Sequence, residues 1–555
     1  MRCVAASIIW CISALAQPRV KPEEKCSVEG KVVNAATGEP VKRARLTLAP
    51  IGQSNAIPYA TTSDSAGHFL VDQVDAGSFQ LTAFRSGYTI QSYSPNGDLK
   101  HNATLTLEKG QALKDIVFKL TPQGVISGRV LDEDGDPIDN VTVKCLKIGY
   151  EQGKRQLVSE SGTGTNDLGE FRLVGLAPGK YVIGATYNRS MSTLGRLVQE
   201  RPVRISAKDQ AGEEGYVNTY YPNTTNKKTA SLIEVSAGAR IDGINIALIR
   251  ARTVRIKGHV SSGIPAKSRI VLVLYPSDES GVPAEVAVDP QGGFQIQAIV
   301  PGSYMLIAIF VADDKQYTAS MPLDVRDSNI EGIELTLQPP VELRGRLIIE
   351  DKDDLKGSTP MLCLQPKADE RAIGGGCAEV KDDLTFKIEN TSLGSYDIHI
   401  RGLREGLYLK GMRLGDQDVT EKGVDIPQGF AGEELTVVLS PNGGVVEGSV
   451  TNAKDEPAVG VKVTVIPDAS HRGTESLYKI TDTDQNGHFV IKSIAPGEYK
   501  IYAWEELEDG AEQDPDFMKA HDSDGEKVSI QERAHETMQL KAVPAESAAS
   551  GKPAR

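Results

Sequence analysis

Residues 481–498 read TDTDQNGHFVIKSIAPGE, and Tyr499 follows. Asp484-Gln485-Asn486-Gly487 is a hairpin signal, because Asn-Gly takes the positive φ that tight turns need. Phe489, Ile491 and Ile494 place apolar side chains after it. Pro496-Gly497 marks a second turn, and Tyr499, Ile501 and Ala503 then alternate with charged or polar neighbours. Turn, strand, turn and the start of another strand is an all-β pattern.

The pattern is written five times. The first aromatics are Phe69, Phe171, Phe294, Phe386 and Phe489, and the second are Phe79, Tyr181, Tyr304, Tyr396 and Tyr499, ten residues later in every copy. A fixed even offset suits two rings entering one core from neighbouring, hairpin-related strands. A leader precedes each first aromatic: Gly30-Lys31-Val32, Gly128-Arg129-Val130, Gly258-His259-Val260, Gly345-Arg346-Leu347 and Gly448-Ser449-Val450. A closing strand ends each copy, at 115–120, 244–249, 333–337, 435–439 and 537–541. The fourth copy has Lys381-Asp382-Asp383-Leu384 before Phe386, without the turn glycine, so its hairpin is expected to turn differently.

These periods divide the chain into five β-sandwiches strung as beads on a string: 27–121, 122–250 with an insert at 187–240, 251–340, a divergent 341–440, and 441–543. Very short joints favour a semi-rigid rod. Each copy is long enough for a core of its own. The 54 glycines and 29 prolines suit many short strands and turns. Residues 1–16, MRCVAASIIWCISALA, read as a secretory signal peptide with a small-residue cleavage site, too short in its apolar run to span a membrane. Residues 544–555 read as a disordered tail. A secreted, periplasmic or cell-envelope location follows, without membrane insertion of the mature chain. The net charge of −14 disfavours nucleic acid and anionic lipid as partners.

The leader G-x-V, a proline near a polar turn (Gly38-Glu39-Pro40, Gly135-Asp136-Pro137, Asp455-Glu456-Pro457), D-x-x-G-x-F and P-G-x-Y together resemble the carboxypeptidase regulatory-like domain. The resemblance implies a seven-stranded transthyretin-like sandwich, grouped with carbohydrate-binding-like folds, in tandem as in bacterial secreted proteins. Collagen-adhesin B-type repeats look similar. In metallocarboxypeptidases this domain is an accessory to a zinc catalytic domain, and no such domain is written here.

The residues offer little chemistry. No histidine begins an H-x-x-E pair, and His535-Glu536 reaches Gln539 where a zinc hydrolase needs a second histidine. No G-x-S-x-G elbow or phosphate loop occurs. Asp482-Thr483-Asp484-Gln485-Asn486-Gly487 matches the front of a calcium loop, but Ser493 stands where its bidentate glutamate belongs, and a plain turn is favoured. No metal, cofactor or enzymatic activity is expected. Tyr220, Tyr221 and Trp504 are the candidate platforms for a sugar, against the commoner role of packing at a domain joint. Cys363 and Cys377 lie on neighbouring segments of one copy and are a disulfide candidate in an oxidising compartment, while Cys145 reads as a buried core thiol. The reading is a non-enzymatic scaffold or adhesion protein. The alternative is a carbohydrate-binding protein, with a polysaccharide or an envelope protein as partner.

Overall fold

The computed structural model describes residues 25–51, 56–94, 103–151, 153–187, 214–261, 270–277, 284–352, 355, 359–367 and 375–545. The expected signal peptide, most of the expected tail and 188–213 of the insert lie outside the described residues. Among the described residues the regular secondary structure is nearly all strand. Its buried apolar side chains form five large clusters, one per repeat, spanning 26–120, 126–248, 254–337, 343–439 and 446–542.

One arrangement recurs in every repeat. The leader strand pairs antiparallel with the first-aromatic strand and parallel with the closing strand. In the first repeat these are Cys26–Asn34, His68–Val74 and Ala112–Leu120; in the fifth they are Gly444–Thr451, His488–Ile494 and His535–Val543. The second aromatic belongs to the facing sheet, where Gly77–Phe84 pairs with Arg45–Pro50 and Gly497–Trp504 pairs with Lys462–Pro467. The two rings therefore meet across the sandwich. The turn at 484–487 joins Lys479–Asp482 of one sheet to His488–Ile494 of the other, so it is a corner between sheets and not the expected hairpin. The same local chemistry serves both uses. Asp484 Oδ1 accepts from the amides of Asn486 and His488, and Gly487 sits at φ +76°.

The leader glycine is where the closing strand comes nearest. A Cβ on Gly30, Gly128, Gly258, Gly345 or Gly448 would stand between 1.8 and 2.5 Å from a carbonyl oxygen of the closing strand. Each of these glycines is also the cross-strand partner of its repeat's first phenylalanine. The ring covers the bare backbone. In the third and fourth repeats it would lie within 2.5 Å of an added Cβ.

The fourth repeat corrects its expectation. Its turn has the same hydrogen bonds as the others: Lys381 N–H to Thr385 O, and Leu384 N–H to Lys381 O. Leu384 takes the glycine's place at φ +63°. That conformation costs about 1–2 kcal/mol for a residue with a Cβ, and the Asp383 carboxylate offsets part of it by accepting from the Thr385 amide and hydroxyl.

Candidate functional site: the joints between repeats

The three candidate platform residues turn out to be packing residues to different degrees. Trp504 is 0% exposed. Its indole N–H donates to Thr464 Oγ1 at 2.9 Å, its ring stacks on Tyr502 at 5.2 Å, and Phe517 and His521 close the other sides. Tyr220 is buried with Leu146 and Val182, and its ring lies over Gly184. Neither offers a face to a sugar, which corrects both as ligand candidates. Sequence alternation does not show that the outer face of the fifth repeat's sheet is roofed by 505–525, or that Tyr220 joins the sheet beside Gly179–Tyr187. Tyr221 is half-buried against the second core.

Cys363 and Cys377 are bonded, with Cα atoms 4.1 Å apart as direct partners on neighbouring strands. Cys145 is a buried free thiol that burial pushes up to about 12. Cys26 is also buried, and its Sγ donates to Glu108 O at 2.9 Å.

One cluster of catalytic residue types is present that sequence reading passed over. His471 Nδ1 lies 2.8 Å from Asp468 Oδ2 and 2.9 Å from Ser470 Oγ. A nucleophile relay needs the carboxylate and the hydroxyl on opposite ring nitrogens. Here both meet Nδ1, and Nε2 faces Glu421 of the fourth repeat at 3.4 Å. The arrangement holds two repeats together and does not activate the serine.

Other polar contacts also span the joints between repeats. Between repeats three and four, the Asn390 side chain accepts from Gln316 N–H and donates to Asp314 O, both at 3.1 Å, and Thr318 Oγ1 donates to Ser392 Oγ at 2.9 Å. Between four and five, Arg533 and Asn442 both reach Asp351, Lys492 meets Glu405, and Ser493 Oγ accepts from Gly406 N–H. Asn390 and Ser493 occupy one position of the repeat, four residues after the first aromatic, as do Gln73 and Gly175. All four have positive φ at a break in strand register, and Asn390 and Ser493 reach the preceding repeat from it. The fixed offset and the residue types were the available signal. Asn390→Gly keeps the backbone conformation and deletes the clamp. It is expected to weaken the joint between repeats three and four by about 1–2 kcal/mol, seen as faster proteolysis between them with both cores intact.

The string also closes on itself. Gln485, in the corner turn of the fifth repeat, accepts from Thr106 N–H at 3.1 Å and donates to Thr106 O at 2.8 Å. Thr104 and Asp484 form a parallel bridge beside it. The second repeat contributes its long hairpin, Val141–Glu151 with Lys154–Gly164. At its tip Tyr150 packs on Phe517 at 6.2 Å and on Gly510. A straight rod would keep these residues far apart, so the rod is corrected to a chain whose last repeat touches its first two. Short joints limit the slack between neighbours. They leave open the angle, which side chains then set.

The joint between repeats four and five is expected to respond to pH. His471 is raised above its ordinary 6.5, first by its hydrogen bond to Asp468 and also by the charges of Asp468 and Glu421. A raised histidine contributes stability that is full below the unfolded value and fades as pH climbs through the folded one. The contact with Glu421 is therefore expected to weaken on going from pH 6 to 8. His471→Gln should remove that slope from the thermal unfolding of the fifth repeat.

Among the described residues no helix is long and apolar enough to cross a membrane, and no group of three or more His, Cys, Asp or Glu side chains is placed to hold a metal ion. Residues 27–121 and 125–210 match the family model of the carboxypeptidase regulatory-like domain. No curated protein sequence matches the chain. Among solved structures it is similar to the TIE protein of Bacillus anthracis, at 9% identity and a TM-score of 0.15, over 75% of this chain and 72% of that one. It is similar to GBS52, the minor pilin of Streptococcus agalactiae, at 11% identity and a TM-score of 0.22, over 41% and 97%. Two B repeat units of the collagen binding protein of Staphylococcus aureus give 12% identity and a TM-score of 0.13, over 75% and 100%. The chain carries the carboxypeptidase regulatory-like domain in two tandem copies, at 27–121 and 125–210.

Proposed function

We propose that this protein is a non-enzymatic scaffold or adhesion protein of the cell envelope or the extracellular space. It is built of five tandem sandwich domains at 27–121, 122–250, 251–340, 341–440 and 441–543, which its joints hold as one body. The observation that carries the reading is the Gln485 amide paired with both backbone groups of Thr106, 379 residues away in sequence. Such a clasp has a use in a protein whose task is to hold a shape. The bonded Cys363–Cys377 pair and the leader-like 1–16 support an oxidising, exported location.

Gln485→Ala in the full chain tests it. Loss of the two hydrogen bonds is expected to cost the clasp about 1–2 kcal/mol, so small-angle scattering should show a longer maximum dimension with circular dichroism unchanged. Unchanged dimensions would count against a held shape. In parallel, turnover of an ester, peptide or glycoside by the wild type would replace the reading with an enzymatic one. Saturable binding on a glycan panel would shift it to carbohydrate recognition.

A further inference from the structure

Repeats three and four solve one topological problem in two ways. In the fourth, the chain leaves Gly394–Arg401 and crosses to the other sheet, where Tyr408–Leu414 pairs antiparallel with the closing strand Leu435–Ser440. The slot beside the closing strand is thus filled by a strand. In the third, the corresponding segment Lys315–Val325 stays paired with Gly302–Ala312 along its whole length. The closing strand Ile330–Thr336 pairs with Val254–Ser261 on one side only.

The other side is an open wedge. Thr318 and Gln338 exchange both backbone hydrogen bonds, at 3.1 and 2.9 Å, and the two strands then splay apart. Backbone direction alternates along a strand. Ser320 and Pro322 therefore face the same way as Thr318, and Thr336 and Glu334 the same way as Gln338. Ser320 would oppose Thr336 if the ladder continued, yet no described residue pairs with the backbone amide of either. The Thr336 carbonyl takes only the Gln338 side-chain amide, at 3.4 Å. Between the edges lies a cleft of about 210 Å³, with Ile307, Met321 and Leu335 among its apolar lining and Glu334 in its wall. Pro322, which has no N–H to offer, is the residue type that edges tolerate.

We propose that this cleft accepts an extended polypeptide segment of a partner protein, which pairs antiparallel with Ile330–Thr336 as Tyr408–Leu414 pairs with Leu435–Ser440. Two rows of backbone donors and acceptors select a peptide strand over a sugar or a lipid. The strand that fills the slot in the fourth repeat shows the side-chain pattern. Tyr408 and Met412 point inward and are buried, while Lys410 and Arg413 point outward and are exposed. A partner strand of that kind would place apolar side chains on the cleft floor and a basic one near the Glu334 carboxylate. The proposal stands independently of the clasp and of the scaffold reading, since it uses neither Gln485 nor the fifth repeat.

The test uses the full chain and a fluorescent, end-capped peptide of sequence YLKGMRL, which is residues 408–414. Anisotropy is expected to show saturable binding with Kd of roughly 0.1–1 mM, and hydrogen exchange should slow at 316–322 and 330–338. Ser320→Pro removes an outward N–H and should weaken binding about tenfold or more, whereas Ser320→Ala should leave it unchanged. The same peptide N-methylated at every second residue should fail to bind wild-type protein, a readout that needs no folded variant. No binding at 1 mM, equal binding by the methylated peptide, or protection confined to 435–440 would overturn the proposal. So would self-association of the wild type that Ser320→Pro abolishes, which would make the cleft an interface between copies of this chain.

Discussion

Gly448→Ala is expected to destabilise the fifth repeat strongly while the other four keep their stability. The added Cβ would lie 1.9 Å from the Met538 carbonyl oxygen and 3.1 Å from Phe489 Cε1. The first neighbour is backbone, held in register by the parallel ladder from Val445↔His535 to Thr451↔Lys541, so it cannot rotate away. Relief requires the closing strand to move outward, which breaks that ladder and opens the core that Leu540 and Phe489 share. Overpacking of this kind costs about 1–3 kcal/mol when side chains can yield, and backbone yields less readily, so a loss of about 3 kcal/mol or more is expected. A domain stable by roughly 5–15 kcal/mol would lose a large part of its margin. Calorimetry of the full chain should show one unfolding component moving to lower temperature. Gly473→Ala is the control: nothing stands within 4 Å of its Cβ, and its effect should stay within about 0.5 kcal/mol. A Gly448→Ala protein as stable as the control would show that the leader and closing strands are not packed this closely.

The leader glycines show how far the sequence could be read. Their recurrence 36 to 43 residues before each first aromatic marks a repeat boundary in the bare sequence. Their cause, a neighbouring carbonyl, needs the parallel pairing of strands that no local signal declares. The turn residues show the opposite limit. Asp484 and Gly487 declare a sharp bend, but the bond pattern is the same whether the chain returns to its own sheet or crosses to the facing one. Leu384 shows that a missing glycine does not mean a different turn, because a fold held at both ends can impose φ +63° on leucine. The burial of Trp504 and Tyr220 is not legible in the sequence, because exposure depends on segments far along the chain. The contacts of Gln485 with Thr106 and of Tyr150 with Phe517 leave no periodic trace, since a repeat period carries no information about the angle between repeats.

Trp504→Ala should be the most damaging single side-chain truncation in the fifth repeat, with consequences beyond it. The indole is fully buried between Tyr502, Phe517 and His521, and its removal leaves the Thr464 hydroxyl without its donor in a site closed to water. Truncating a buried tryptophan costs about 3–5 kcal/mol, and the orphaned hydroxyl adds about 1 kcal/mol. The cluster around Trp504 is a small second core that holds the roof formed by 505–525 and its helix Pro515–Ala520. Tyr150 of the second repeat packs on that roof, so loosening it should also release the tip of that hairpin around Tyr150. Hydrogen exchange should then rise at 150–155 and 505–525 together, with the main core around Val463, Ile501 and Leu540 still protected. Trp504→Phe keeps the stacking and loses the N–H, and should cost about 1–2 kcal/mol without freeing Tyr150. In the wild type, the emission of Trp504 should remain blue-shifted and unmoved by added polysaccharides. A sugar that quenches or shifts it saturably would mean that the roof opens, and would return Trp504 to the ligand candidates from which its burial removes it.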